Sequence, residues 1–182
     1  MPPIRPHSLL VRVVGLVAAT LTVTSCSPGN KEEKREYAVP SSLCGTPVPT
    51  TALEPLLPPG KKISSVKSGP SGFTRCRVMV DGRSAVTSII DQWESGTSLT
   101  NVAYSTYGLT SDSVKKKGAS YIVSDSKAVA HASCSKLQKE GHELFTVIRK
   151  EQGTVDGTAM EKAITAFTAA VSTSRQCTAS HA

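Results

Sequence analysis

Aromatic side chains are scarce: Phe, Trp and Tyr make up 4% of the 182 residues, with a single Trp. Any core must therefore lean on Val, Ile, Leu and Ala. Long apolar runs are missing too. The run VVGLVAATLTV at 13–23 has 11 residues, well short of the roughly 20 that a helix needs to cross a bilayer core. No GxSxG, HExxH, P-loop or GxGxxG pattern occurs, so the common signatures of hydrolases, zinc peptidases and nucleotide-binding enzymes are absent. No CxxC or HxxxH spacing occurs either, which argues against zinc. Neither a metal nor a cofactor is expected.

Acidic residues are absent before Glu32. The segment MPPIRPHSLLVR is cationic, the apolar run follows it, and small residues come next. That order is the order of a secretory signal peptide. The run ends in Val23-Thr24-Ser25-Cys26, an aliphatic residue, two small residues and a cysteine, which resembles the bacterial lipobox. The resemblance implies a signal peptide over 1–25, cleavage before Cys26, diacylglycerol on its Sγ and often a further acyl chain on the freed amine. Two or three acyl chains hold firmly where one binds marginally. SPGNKEEKRE follows, polar and charged as a flexible tether over 26–38 should be. One globular domain is then expected over 39–182. Without Arg5 and Arg12 of the leader, the formal charge falls from +7 to +5. The expected partner is the outer face of the cell membrane, reached through the lipid, with anionic envelope polymers or a membrane protein open to a basic chain. Export and dispersed charge argue against nucleic acid.

With Cys26 assigned to lipid, Cys44, Cys76, Cys134 and Cys177 remain. Four cysteines in an exported domain predict two disulfides, in one of three pairings. A free catalytic thiol would be oxidised in that compartment.

The pattern along the chain predicts an α+β domain: a mostly antiparallel sheet packed by a short N-terminal helix and a long C-terminal one. Thr51-Ala-Leu-Glu54 has the form of a capping box and Leu53, Leu56 and Leu57 give one apolar face, although Pro55 falls inside the turn. Pro58-Pro59-Gly60 ends that helix. Lys62–Gly69 reads as a first strand. Asp81-Gly82, between two β-rich runs, reads as a tight hairpin turn. Before it, Cys76, Val78 and Val80 share one face, and Arg75, Arg77 and Met79 the other. Leu99, Val102, Ala103 and Tyr107 have helical spacing, with Ser98 or Thr100 as cap, and read as a connecting helix rather than a mobile lid. Lys115-Lys116-Lys117 reads as a solvated run. Tyr121–Val123 and Ala128–Ala130 predict a second hairpin, and the segment from His142 a further strand. Finally, Thr158-Ala-Met-Glu161 forms a second capping box, and Met160, Ala163, Ile164, Phe167, Ala170 and Val171 make one helical stripe.

VPSSLCGTPV…LEPLLPPG, followed about thirty residues later by TRCRVMVDG, resembles the small actinobacterial surface lipoproteins of the DUF3558 type. Their pattern is a cysteine just before a short helix and a second cysteine in a strand. The resemblance implies a surface lipoprotein with no established activity, and it is part of the reason to favour Cys44–Cys76, which leaves Cys134–Cys177. The second bond would pin the last helix to the sheet.

No residue is assigned a catalytic role. Of the histidines, His7 lies in the leader, His131 and His142 in strands and His181 at the chain end. Asp81 and Asp91 read as turn and strand-end residues. Trp93, Tyr104, Tyr107 and Tyr121 are candidates for a ligand groove or for ordinary packing. The expectation is a non-catalytic ligand-binding or accessory module of the cell envelope. Its alternatives are an exported hydrolase that pairs His131 with an Asp or Ser, and a purely structural envelope protein.

Overall fold

The computed structural model describes residues 34–178. The expected leader 1–25, the expected lipidation site Cys26 and His181 lie outside the described residues. In chain order the elements are β1 Ser42–Leu43, β2 Thr46–Pro47, α1 Thr50–Leu53, a 3₁₀ turn Glu54–Leu56, β3 Ile63–Ser68, β4 Phe73–Val80 and β5 Arg83–Glu94. They continue with α2 Leu99–Asn101, a π turn Val102–Thr106, a 3₁₀ turn Ser111–Ser113, β6 Val114–Lys117, β7 Tyr121–Ser124, β8 Lys127–Ala132, α3 Ser135–Lys139, β9 His142–Lys150, α4 Gly157–Ser172 and α5 Arg175–Thr178. Strands β3–β9 form one antiparallel sheet in the order β3-β4-β5-β9-β8-β7-β6, and β1 and β2 form a separate hairpin. The domain is α+β.

The hairpins follow from residues that accept positive φ. Asp81 (φ 48°) and Gly82 (φ 78°) form the two-residue turn between β4 and β5, where both central positions need that conformation. The Asp81 carboxylate also accepts from the backbone N–H groups of Lys61 (3.0 Å) and Lys62 (2.8 Å), which holds its pKa below the ordinary value. Cys44 (φ 50°) and Gly45 (φ 93°) repeat the turn between β1 and β2.

Strand alternation gives the sheet two unlike faces. On the helix face lie Cys76, Val78 and Val80 of β4, Val86 and Ile90 of β5, Ile148 of β9 and Ala128, Ala130 and Ala132 of β8. The stripe Met160, Ala163, Ile164, Phe167 and Val171 of α4 is buried against this face. On the open face, Ile89, Val147, Phe145, Val129 and Ile122 pack with Val102, Ala103 and Leu109. Ser98 caps α2 through Asn101 N–H at 3.1 Å, and the backbone bond from Tyr107 N–H to Val102 C=O closes the π turn at 3.0 Å.

Neither expected capping box forms. α1 begins at Thr50 after Pro49 with no side-chain cap, and the Glu54 carboxylate instead pairs with Arg35 at 3.1 Å. Pro55 sits in the first turn of the 3₁₀ segment that Glu54 opens, where its missing N–H has no partner to lose. α4 starts at Gly157, so Thr158 lies inside it. Glu161 accepts from Lys116 Nζ at 2.7 Å and from the Tyr121 hydroxyl. The lysine run 115–117 is thus not merely a solvated surface: it belongs to β6, one of the sheet's two edge strands, and charges there discourage pairing with another chain. The packed domain also begins earlier than the expected boundary at 39. Arg35 bridges to Gly60 and donates to Leu57 C=O at 2.7 Å, and the Tyr37 hydroxyl donates to Pro58 C=O.

Candidate functional site

A cleft of about 300 Å³ opens between the helix face of β3–β5 and the C-terminal end of the helical layer. Its floor is sheet. Thr74 and Cys76 of β4 alternate onto this face with Ser88 and Ile90 of β5 opposite them. Phe167 of α4 closes the apolar side. One wall is the β1–β2 hairpin, Leu43–Thr46, and the other is Ser174, Arg175 and Gln176 at the start of α5. Gln176 Nε2 donates to Thr74 Oγ1 at 3.1 Å across the gap. Beyond that bridge lies a smaller space of about 40 Å³ lined by Gly72, Gln92 and Leu144.

Both disulfides frame the cleft. Cys44–Cys76, with Cα atoms 5.7 Å apart, ties the hairpin turn to the floor. Cys134–Cys177, with Cα atoms 5.1 Å apart, ties α5 to the start of α3. They close intervals of 32 and 43 residues, worth about 3–4 kcal/mol each in the chain-entropy picture. Hairpin and α5 are too short to hold a fixed position alone, so the covalent bonds preform both walls. Two disulfides also mark an oxidising, extracytoplasmic compartment. Among the described residues, no helix is long and apolar enough to cross a membrane.

The chemistry of the lining is one-sided. Lys67 of β3 and Arg175 of α5 are the two charged side chains there, both exposed at the rim. Hydroxyls come from Thr46, Thr74 and Ser88, an amide from Gln176, and apolar surface from Leu43, Ile90 and Phe167. No carboxylate, imidazole or free thiol lines it. Two cations over hydroxyl donors and an apolar floor suit a small organic anion with an apolar part.

The other candidates are scattered. His131 projects from the open face, its ring centroid 5.1 Å from that of Phe145 and its Nε2 3.5 Å from the Glu143 carboxylate. That Nε2 is buried and forms no hydrogen bond, so no serine or aspartate is paired with it. Asp91 accepts from the Tyr107 hydroxyl at 2.7 Å, and burial first, then this bond, raises the pKa of Tyr107. Trp93, Tyr104 and Tyr107 pack on the open-face core; Tyr121 is held by Glu161. Among the described residues, no cluster of three His, Cys, Asp or Glu is placed to hold a metal. Sequence reasoning singled out Cys44, Cys76, Cys177 and Phe167 but missed Lys67, Thr74, Ser88, Arg175 and Gln176. Each of these is an ordinary surface or strand residue by pattern, and only the register and the disulfides bring them together.

Comparison of the chain with protein-family models, with curated proteins and with solved structures finds no match.

Proposed function

We propose that this protein is a surface lipoprotein held to the outer face of the cell membrane through Cys26, and that its domain is a binding module for a small amphiphilic anion. The observation that supports it is the disulfide-framed cleft, with Lys67 and Arg175 at the rim and Phe167 and Ile90 beneath. A carboxylate or phosphate monoester would meet the two cations, its hydrocarbon part would cover the floor, and Ser88 and Thr74 would orient the polar end. The anchor rests on the Val-Thr-Ser-Cys sequence at 23–26 and on the likeness to actinobacterial surface lipoproteins.

Two measurements test the two halves. Intact-mass analysis of native material is expected to show a chain that starts at Cys26 and carries acyl groups; an unlipidated chain with its leader would refute the anchor. Thermal unfolding with hexanoate and phenyl phosphate is expected to raise Tm by about 5–10 °C at a hundredfold excess over Kd. Lys67→Ala and Arg175→Ala should abolish the rise. An unchanged Tm with both anions, or a rise that survives both substitutions, would refute the site.

A further inference from the structure

Strand register also lines up cations on the open face, away from the cleft. Arg77 of β4 sits opposite Thr87 of β5, Thr87 opposite Arg149 of β9, and Arg149 opposite Lys127 of β8. At about 4.8 Å per strand, these four positions make a row about 14 Å long that runs across the strands. Arg75 lies on the same face two residues from Arg77, with its guanidinium 5.3 Å over the Phe73 ring. The layer formed by α2 and the π turn sits over β7 and β8 and packs with Ile89 of β5 and Phe145 and Val147 of β9, stopping short of the β3–β4 edge. Arg75 and Arg77 are exposed there, and so is Val66 of β3, at 49%.

Tyr107 stands where the covering layer ends. Its carbonyl accepts from the Lys127 ammonium and its hydroxyl donates to Asp91. Lys127 and Asp91 are thus occupied within the wall. Glu151, 3.5 Å from Arg149 across a partly exposed pair, is the acid left beside the row, and such a pair is weak. The result is an exposed cationic strip beside the covering layer. Guanidinium groups match phosphate oxygens two at a time.

We propose that Arg77 and Arg149, flanked by Arg75, dock an extended polyanion of repeating phosphate groups. This rests on the open face alone and stands whether or not the cleft binds an anion. The test uses the native lipoprotein in neutral detergent with linear inorganic polyphosphate and orthophosphate as probes, between about 50 and 200 mM salt. Polyphosphate is expected to bind, with affinity falling as salt rises. Arg77→Ala and Arg149→Ala should each weaken it about 3–10-fold and cut the salt slope by about 0.7. Arg77→Lys should weaken it less. Lys67→Ala and Arg175→Ala should leave it unchanged, which separates this surface from the cleft. The proposal is overturned if the Arg77→Ala/Arg149→Ala double variant, with an unchanged Tm, binds polyphosphate as the wild type does. It is also overturned if polyphosphate fails to bind, and binding of a Cys26→Ser chain to phosphatidylglycerol vesicles through the same arginines would then make the face a membrane surface.

Discussion

On the helix face of the sheet, a 16-residue helix, two disulfides and a hairpin enclose most of the core and frame the cleft at its end. On the open face, a short helix and a π turn cover β7, β8 and the buried residues of β9 and β5, and exposed arginines occupy the β4 side. Stability and recognition are therefore divided differently on the two sides. The helix face obtains its shape from burial and covalent ties, so its cleft is concave and preformed. The open face obtains its shape from where the covering layer stops, so it offers a charged strip.

The largest effect expected from breaking this contrast is at Phe167, which is 1% exposed. Phe167→Ala should cost about 3–5 kcal/mol in denaturant unfolding, because the aromatic ring fills the junction of α4 and the cleft floor. Val66→Ser on the open face should change stability by less than about 0.5 kcal/mol. Comparable losses for both would erase the distinction.

Next comes the covalent frame. Replacing Cys134 and Cys177 together by Ser should cost about 2–4 kcal/mol and should weaken anion binding in the cleft, since α5 would no longer be fixed. Polyphosphate binding on the open face should persist at temperatures where the variant is folded. Unfolding curves and the two titrations check this.

A smaller loss is expected at the edge of the open-face layer. Tyr107→Phe removes the donor to Asp91 and should cost about 1–3 kcal/mol, read by denaturant midpoint.

The smallest effect is a pH dependence at the clamp between β6 and α4. Lys116, then Tyr121, lowers the pKa of Glu161, and hydrogen bonding to Glu161 raises those of Lys116 and Tyr121. A lowered carboxyl pKa contributes stability above its unfolded value, and this is lost as pH falls through the folded value. The raised pKa values of Lys116 and Tyr121 contribute below their unfolded values, and this is lost as pH rises through the folded ones. The clamp therefore works across the neutral range and loosens at both ends. Glu161→Gln should flatten both limbs of a Tm-against-pH curve, and a curve unchanged by that substitution would contradict the assignment.

Much of this architecture was legible in the residues. Asp81-Gly82 marks its hairpin because a two-residue turn requires positive φ twice, and the α4 stripe marks itself by spacing. The Cys44–Cys76 and Cys134–Cys177 pairs agree with the favoured connectivity. What local pattern could not show was competition from afar. Glu54 and Glu161 satisfy the capping-box rule on paper, yet Arg35, Lys116 and Tyr121 take their carboxylates over 19, 45 and 40 residues. The lysines at 115–117 hide an edge strand because charge masks the alternation. The cleft was invisible for the same reason: Lys67, Ser88 and Gln176 come from three distant segments, and no spacing rule links them.

The central claim is that the disulfide-framed cleft on the helix face is a binding site for a small amphiphilic anion. Amide NMR of the oxidised protein titrated with hexanoate tests it most directly. Shifts that cluster at Lys67, Thr74, Ser88 and Arg175–Gln176 are predicted; shifts confined to Arg75 and Arg77, or none at all, would contradict it.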